Sequence, residues 1–285
     1  EFAPITTGAT NPMQMRDITP AIGSEVSALD LTDISSANAK ALRQRLIDRK
    51  VLVFRNQTIS DAEYVAFMGT FGEVVQDDIE PHAGHPTELC ILHIRPGEKQ
   101  TINFWHMDYS FRPMPTPHLS LYAQQIPECG GDTLFTNLEA AYAGLPDETK
   151  ARIEGLQTNH KLTVTQNAAK RYTPEQLAGM TGGDPICHPL VCKNPDNQRN
   201  YLFVNVPIYC RSIVGMESDE GDKLLQSLYH HAQRPEYHFR LVWERNTIVV
   251  WENSHCLHYP VSDYFPHERL MWRLATRAIE RPVAA

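Results

Sequence analysis

The chain has 285 residues, of which 42% are hydrophobic and 21% are charged, and its formal net charge is −8. This composition indicates a globular protein with a sizeable core and predicts a single domain over residues 1–285. The negative charge argues against a nucleic-acid partner, because phosphate binding needs clustered Lys and Arg, and no apolar run is long enough to predict a membrane span.

The N-terminal part is predicted to mix helix and strand. Ser35 or Ser36 can cap a helix that runs to about Arg49, because a hydroxyl at this position accepts a bond from the first turn. The apolar run Val51–Phe54 that follows is typical of a buried strand. A helix and a strand in immediate succession indicate that the helix packs against a sheet.

A second helix is followed by a strand-rich region. Ser60 and Glu63 have capping-box spacing, which predicts a helix to about Phe71 with Gly72 at its end. Short β-branched and aromatic runs, separated by Pro, Gly and Asn, then predict strands at Leu89–Ile94, Leu119–Gln124, Asp132–Thr136, Tyr201–Asn205, Tyr237–Trp243, Thr247–Trp251 and Trp272–Ala278. Helices are predicted between them at about Pro146–Leu156 and Ser218–Ala232. This pattern favours a mostly β fold, a sandwich or jelly roll with flanking helices.

The stretch at about 165–189 is less regular than its surroundings and contains Thr181-Gly182-Gly183. A long irregular segment in a compact domain often covers a binding site, so a possible active-site lid is predicted here.

The six cysteines are scattered without C-x-x-C spacing, and no charged-then-apolar secretion signal opens the chain. These two features predict reduced thiols and a cytoplasmic location.

Two distant stretches carry residues that suit a metal ion. His106 and Asp108 are two positions apart, and His258 lies near the end of the chain. On a strand, residues i and i+2 point to the same face, so the first two would turn into a barrel while Met107 turns away. Two imidazoles and one carboxylate hold non-haem Fe(II) with open positions, although His-x-Asp alone often arises by chance. His255, three residues before His258, is an alternative ligand.

Two arginines follow the last of these residues. Arg269 could bind an anionic co-substrate through two parallel hydrogen bonds. Arg273 lies four residues further along the same predicted strand and would share its inward face. Because a buried Arg needs an anion, Arg273 suggests a substrate with a carboxylate, sulfonate or sulfate, unless an internal Asp or Glu pairs with it.

The order of these motifs resembles a known family. The motifs are, in chain order, Trp-His-x-Asp at 105–108, Gly-Gly-Asp-Thr at 130–133, Trp-x-Asn at 251–253, His-Tyr at 258–259 and Arg-x-x-x-Arg at 269–273. In this order they are similar to the taurine dioxygenase group of Fe(II)/2-oxoglutarate-dependent dioxygenases, which includes the 2,4-dichlorophenoxyacetate oxygenases. The resemblance runs from about Ile22 to Arg277. It implies a double-stranded β-helix (jelly roll), with Fe(II), the co-substrate 2-oxoglutarate and O2 as the reaction's requirements and succinate and CO2 as products.

The resemblance also implies roles for individual residues. His106, Asp108 and His258 would bind the iron. Arg269 would bind the distal carboxylate of 2-oxoglutarate, with help from the Thr133 hydroxyl. The spacing to Arg269 favours His258 over His255 as a ligand.

On the substrate side, the chain departs from the taurine enzyme. Arg273 matches an arginine that meets the sulfonate in that enzyme. An Asn of that enzyme, four places before the first ligand, is replaced here by Ile102, and the neighbouring Asn103 becomes a candidate for substrate binding. A His that follows the pair matching Phe71-Gly72 is also missing, since residues 73–76 read Glu-Val-Val-Gln. Both departures argue against taurine itself as the substrate.

The predicted function is therefore hydroxylation of a small, anionic organic substrate. The carboxylate of Asp108 favours hydroxylation over halogenation, which would use a small residue at that place. Three alternatives remain from the sequence: a tailoring oxygenase of a natural-product pathway, a divalent-metal hydrolase in which Arg269 and Thr133 would have no clear task, and a non-catalytic jelly-roll binding protein. Exposed apolar surface on the N-terminal helices makes a homo-oligomer possible.

Overall fold

The structure is a computed structural model that describes residues 12–76, 82–163 and 173–285. In these ranges the helices are α1 Ser36–Arg49, α2 Asp61–Met68, α3 Leu138–Ala143, α4 Asp147–Ile153, α5 Pro174–Thr181 and α6 Ser218–Ala232. None of them is long and apolar enough to cross a membrane. All six cysteines are free thiols.

Strands make up most of the remaining regular structure. They are β1 Gln14–Asp17, β2 Ser24–Ser27, β3 Val51–Phe54, β4 Val74–Val75, β5 Cys90–Ile94, β6 His118–Gln125, β7 Thr133–Asn137, β8 Gln157–His160, β9 Ile186–Pro189, β10 Val191–Lys193, β11 Asn200–Leu202, β12 Cys210–Ile213, β13 His238–Leu241, β14 Ile248–Glu252, β15 Cys256–Pro260, β16 Arg269–Thr276 and β17 Val283–Ala284.

The largest sheet has the order β1-β2-β3-β14-β6-β16-β4, and β5 also pairs with β16. Smaller sheets have the orders β13-β7-β15, β12-β8-β9 and β11-β10-β17. Every pairing between these strands is antiparallel except that of β2 with β3. The fold is therefore mostly β with few helices, as the sequence predicts.

The core between the large sheet and the β13-β7-β15 sheet positions the candidate site. One cluster of buried side chains contains residues of both sheets, among them Val53, Leu121 and Met271 from the large sheet and Phe135 and Phe239 from the small one. On the other face of the large sheet, helices α1 and α2 bury a second cluster. The two sheets consequently face each other, as expected when apolar alternate positions of both are buried.

The predicted helix ends are confirmed at α1 and shortened at α2. Ser35 caps α1, and Ser60 forms the predicted capping box of α2. Helix α2 ends at Met68, three residues before the predicted end at Phe71. The amide of Thr70 bonds to the carbonyl of residue 67, and that of Phe71 bonds to residue 68. These i→i−3 bonds tighten the chain into turns and end the α-helical pattern.

The predicted lid lies partly outside the described residues, because 164–172 are not among them. Within 173–189, helix α5 and strand β9 are regular, whereas residues 182–185 between them, which include Gly182 and Gly183, are not. The lid itself stays a prediction. Thr173 caps α5 through a capping box, and β9 pairs with β8. The helix is thus ordered by a local cap, and the strand by a partner earlier in the chain.

Candidate active site

Three side chains converge at the edge of the β13-β7-β15 sheet. One ligand atom from each of His106, Asp108 and His258 lies within 4.8 Å of the other two. The two histidines form an isolated antiparallel bridge, with backbone hydrogen bonds of 2.9 and 2.8 Å, and their ring centroids are 4.1 Å apart. His106 Nε2 lies 3.5 Å from Asp108 Oδ1. Residues 150 positions apart are thus brought into the arrangement that a divalent metal needs.

The expectation that residues 106–108 form a strand is wrong. Only His106 makes a bridge, Asp108 begins a turn, and Tyr109 has the left-handed φ of 60°. Met107 does turn away from the two ligands, into a core cluster that also contains Trp105. The chain leaves the sheet after His106 because the backbone N–H and C=O groups of Met107 and Asp108 bond to side chains instead of to a strand.

The protonation states suit a metal site. Burial, together with the neighbouring His106, lowers the pKa of His258 to about 3, so this imidazole is neutral and has a lone pair to offer. Burial acts to raise the pKa of Asp108, but the contact with His106 and the charge of Arg273 outweigh it and hold the pKa well below its usual range. His106 Nδ1 lies 2.9 Å from the carbonyl oxygen of Phe104, which assigns the ring proton to Nδ1 and leaves Nε2 as the donor atom for a metal.

Arg273 pairs with Asp108 inside the protein. Its Nη2 donates to Asp108 Oδ2 over 2.9 Å, and its Nη1 donates to the Tyr109 hydroxyl over 3.3 Å. The two carboxylate oxygens are thereby divided, since Oδ1 faces His106 while Oδ2 faces the guanidinium. Of the two partners that the sequence allowed for this arginine, the structure contains the internal carboxylate.

Arg269 is also buried, but its surroundings differ from those of Arg273. Only 6% of it is exposed, and no carboxylate of the described residues lies within ion-pair distance. Its Nε is buried without a hydrogen-bond partner, and so is the hydroxyl of nearby Tyr264. Burial lowers the pKa of Arg269, with Tyr264 and Asp132 acting in the opposite direction. A buried guanidinium with an unused donor is suited to bind an anionic ligand.

Thr133, on β7, is connected to Arg269 through Trp243. The indole Nε1 of Trp243 donates to Thr133 Oγ1 over 3.0 Å, and the guanidinium carbon of Arg269 lies 5.7 Å from the Trp243 ring centroid. Because the hydroxyl oxygen already accepts this bond, the hydroxyl proton of Thr133 is available for an acceptor group of a ligand. Gly131 has a φ of 73°, and a Cβ there would lie 3.2 Å from Tyr264 Cδ1, so glycine suits both the turn and the close approach of the Tyr264 ring.

Two further residues that the sequence singled out are Asn103 and His255. Asn103 is exposed in the loop before Trp105. His255 is not part of the triad: its Nδ1 lies 3.3 Å from Glu252 Oε2, and its ring lies 4.3 Å from that of Tyr201. The geometry therefore agrees with the preference for His258 over His255.

Sequence reasoning missed several residues of the site. Trp243 was placed in a predicted strand without a role, and Tyr264 was not considered. Asn205 and Asn253, which bond to the backbone between the ligands, were also assigned no task. The Trp-x-Asn motif was the one signal available, and it marked only Asn253.

Comparisons with known proteins agree with this geometry. The family model of the "Taurine catabolism dioxygenase TauD, TfdA family" matches residues 14–275. An alkylsulfatase from Acinetobacter baylyi is 29% identical over 281 residues, which cover 95% of this chain and 87% of that protein.

Solved structures are similar over nearly the whole chain. A taurine dioxygenase from Burkholderia xenovorans has a TM-score of 0.80 and 28% sequence identity, and the match covers 96% of this chain and 97% of that chain. AAD-2, solved with Mn(II) and N-oxalylglycine, has a TM-score of 0.79 at 29% identity, with 96% of this chain and 100% of that chain covered.

Fold, donor set and relatives define the class of this protein as the Fe(II)- and 2-oxoglutarate-dependent dioxygenases. Within that class the chain belongs to the TauD/TfdA family, whose model matches it almost from end to end. It is thus an oxidoreductase that uses Fe(II), 2-oxoglutarate and O2. The metal-hydrolase alternative does not fit this family.

Proposed function

We propose that His106, Asp108 and His258 bind the iron and that the enzyme hydroxylates a small, anionic organic substrate. The observation that carries this proposal is the convergence of these three ligand atoms within 4.8 Å, in the same molecule as a buried arginine without an anion. Two imidazoles and one ionised carboxylate fit Fe(II) and leave positions for other ligands.

Arg269 and Thr133 are proposed to bind the distal carboxylate of 2-oxoglutarate. The guanidinium supplies the charge and Nε, while the Thr133 hydroxyl, whose oxygen accepts from Trp243, donates its proton. Charge-assisted bonds of this kind are stronger than neutral ones, above all in a pocket that excludes water. Tyr264, whose hydroxyl is also unpartnered, is suited to donate to the same ligand.

When bound, iron and 2-oxoglutarate supply the O2 chemistry that releases succinate and CO2 and oxidises the substrate. The protein's own residues fix geometry and charge. The carbonyl of Phe104 holds the ring of His106 in one tautomer. Arg273 holds Asp108 Oδ2, so that Oδ1 remains directed toward the imidazoles.

The substrate's anionic group is proposed to bind at Arg273, with Asn103 as a further contact. Arg273 Nη1 reaches the Tyr109 hydroxyl at 3.3 Å, a long bond that a substrate oxygen could replace, while Nη2 stays with Asp108. Relatives support an anionic substrate, since one is an alkylsulfatase and another a taurine dioxygenase. A sulfate ester, sulfonate or carboxylate is therefore the proposed substrate class.

The proposed architecture is a single domain, a double-stranded β-helix built from the large sheet and the β13-β7-β15 sheet. It is supported by the shared core between them and by the site residues, which both sheets contribute. The proposed location is the cytoplasm, in keeping with six free thiols.

The experiment is a panel of alkyl sulfates, sulfonates, aryloxy acids and amino-acid derivatives, with succinate release as the readout. Hydroxylated product with one of the anionic compounds is expected. Arg273→Leu should then weaken binding of that compound at least tenfold, and by far more than it weakens binding of 2-oxoglutarate. If the variant loses 2-oxoglutarate and keeps the primary substrate, the assignment of Arg273 to an anionic substrate is wrong.

A further inference from the structure

The backbone of residues 106–108 is paired in an unusual way. Each residue has both its N–H and its C=O bonded, and each has a different partner. His106 exchanges bonds of 2.9 and 2.8 Å with the backbone of His258. For Met107, the partner is the side chain of Asn205, at 3.1 and 2.8 Å. For Asp108, it is the side chain of Asn253, also at 3.1 and 2.8 Å.

We propose that Asn205 and Asn253 are positioning residues of the metal site. Their carboxamides take the place of a neighbouring strand where the chain leaves the sheet, and they fix the peptide planes between His106 and Asp108. The direction of each ligand side chain depends on those planes. The inference rests on the metal site proposed above and adds two residues that contact no ligand atom of that site.

Asparagine suits this task chemically. A primary amide has an acceptor and two donor hydrogens in one plane, so it can pair with the N–H and C=O of one residue as a strand would. Turning the amide over would set N–H against N–H and oxygen against oxygen, so the backbone fixes its orientation. The second amide hydrogen is also used, by Asn205 toward Ser110 Oγ at 2.7 Å and by Asn253 toward the carbonyl of Thr116 at 2.9 Å.

Both asparagines are anchored so that they can hold the backbone rigidly. Asn205 is 3% exposed, and its partner Ser110 lies 3.1 Å from Nδ1 of the buried His160. Asn253 is fully buried, and its backbone N–H donates to the carbonyl of Pro117 over 2.7 Å, in addition to the side-chain bond to Thr116. Each carboxamide is thus fixed by contacts beyond the peptide that it holds, which limits how far that peptide can move.

Asn253 also connects the two ligand segments. It begins the 3₁₀ turn Asn253–His255 that leads into β15, five residues before His258. Through its side chain the same residue holds both backbone groups of Asp108. The distance between the carboxylate and the second imidazole therefore depends on Asn253, which distinguishes its role from that of an ordinary buried polar residue.

The test is Mn(II) affinity of the full chain, measured from the electron paramagnetic resonance signal of the free ion. The variants are Asn205→Leu and Asn253→Leu, which keep a branched side chain and remove every side-chain hydrogen bond. The matched control is Asn194→Leu: Asn194 is equally buried and bonds to Glu139 and Asp196, but to none of residues 104–110. Asn205→Ala and Asn253→Ala serve where a Leu variant does not fold, because water can enter the smaller side chain's space.

Both site variants should bind Mn(II) about 10–100-fold more weakly than the wild type, the usual effect of removing groups that orient metal ligands. The control should lose stability and keep its Mn(II) affinity. The rise in Tm on adding Mn(II) should shrink in the site variants alone. Unchanged affinity in both variants would overturn the inference and leave the metal site intact. A wild-type chain that binds no Mn(II) would instead refute the proposed site.

Discussion

Two buried cations in this protein have opposite surroundings. Lys50 is fully buried and its Nζ lies 2.7 Å from Glu139 Oε1 and 3.0 Å from Glu252 Oε2. Arg269 is almost as buried, yet its Nε has no partner and no carboxylate of the described residues pairs with it. A buried charge with complete internal partners is destabilising to unpair, whereas one that lacks such partners indicates where an anionic ligand binds.

The Lys50 cluster is neutralised from within. Burial acts to lower the pKa of Lys50, but the two carboxylates outweigh it and raise the pKa. Burial raises the pKa of Glu252 to about 7, against the effect of Lys50. Glu139 is held in turn by the side-chain amide of Asn194 at 2.7 Å. This cluster connects the end of α1 to α3 and β14 and has no unsatisfied cation.

The largest effect is expected at the triad. His106→Ala, Asp108→Ala and His258→Ala should each abolish succinate formation while the chain stays folded, because each removes one of three protein bonds to the metal. Activity assays with circular dichroism of each variant provide the measurement. His255→Ala is the matched control, and loss of activity there with near-full activity in His258→Ala would reverse the ligand assignment.

Removing the paired cation should cost the most stability. Lys50→Met leaves two buried carboxylates without their partner, and breaking a buried ion pair in this way costs about 3–5 kcal/mol in the free energy of unfolding. Urea denaturation of the metal-free protein measures it. Affinity for 2-oxoglutarate in the fraction that folds should be unchanged. A loss below about 1 kcal/mol would show that this cluster does not hold the fold together.

Replacing Arg269, the buried cation without an internal carboxylate partner, should weaken 2-oxoglutarate binding without lowering stability. Arg269→Met should leave the free energy of unfolding equal or higher, since a desolvated charge without an anion is replaced by an apolar side chain of similar length. Affinity for 2-oxoglutarate should fall by about 1.5–3 kcal/mol, or roughly 10–150-fold, with a smaller loss of about 1 kcal/mol in Thr133→Ala. Calorimetric titration measures both. Unchanged affinity in the two variants would exclude this pocket as the co-substrate site.

The smallest effect concerns a neutral buried group with complete partners, His160. Burial, with the neighbouring His188, lowers its pKa to about 3, against 6.5 in the unfolded chain. The unfolded state therefore binds more protons, and stability from this group is complete above about pH 6.5 and is lost as pH falls toward 3. At pH 5 the loss is about 2 kcal/mol.

His160→Gln should make the dependence of unfolding free energy on pH shallower between pH 5 and 6.5 by up to about 1.4 kcal/mol per pH unit. The raised pKa of Glu252 acts in the opposite direction, but it is common to both proteins and cancels in the difference. Equal slopes for wild type and variant would mean that His160 does not stay neutral in the folded state.

The sequence by itself determined the elements whose signals are local. The caps at Ser35 and Ser60, the buried strand Val51–Phe54 and helix α6 were all predicted, because caps and periodic apolar residues act within a few positions. The residues of the metal triad were also predicted, since their types and order suit the chemistry and resemble a family.

Only the tertiary structure decided how the site is held. Arg273 pairs with Asp108, and the side chains of Asn205 and Asn253 bond to the backbone of Met107 and Asp108. These contacts join residues that are distant in the chain, and they hold the segment where it turns at Asp108. The same holds for the partners of the two buried cations: nothing local distinguishes Lys50 from Arg269. What separates a structural charge from a binding one is whether folding brings a carboxylate to it, and that depends on packing over the whole molecule.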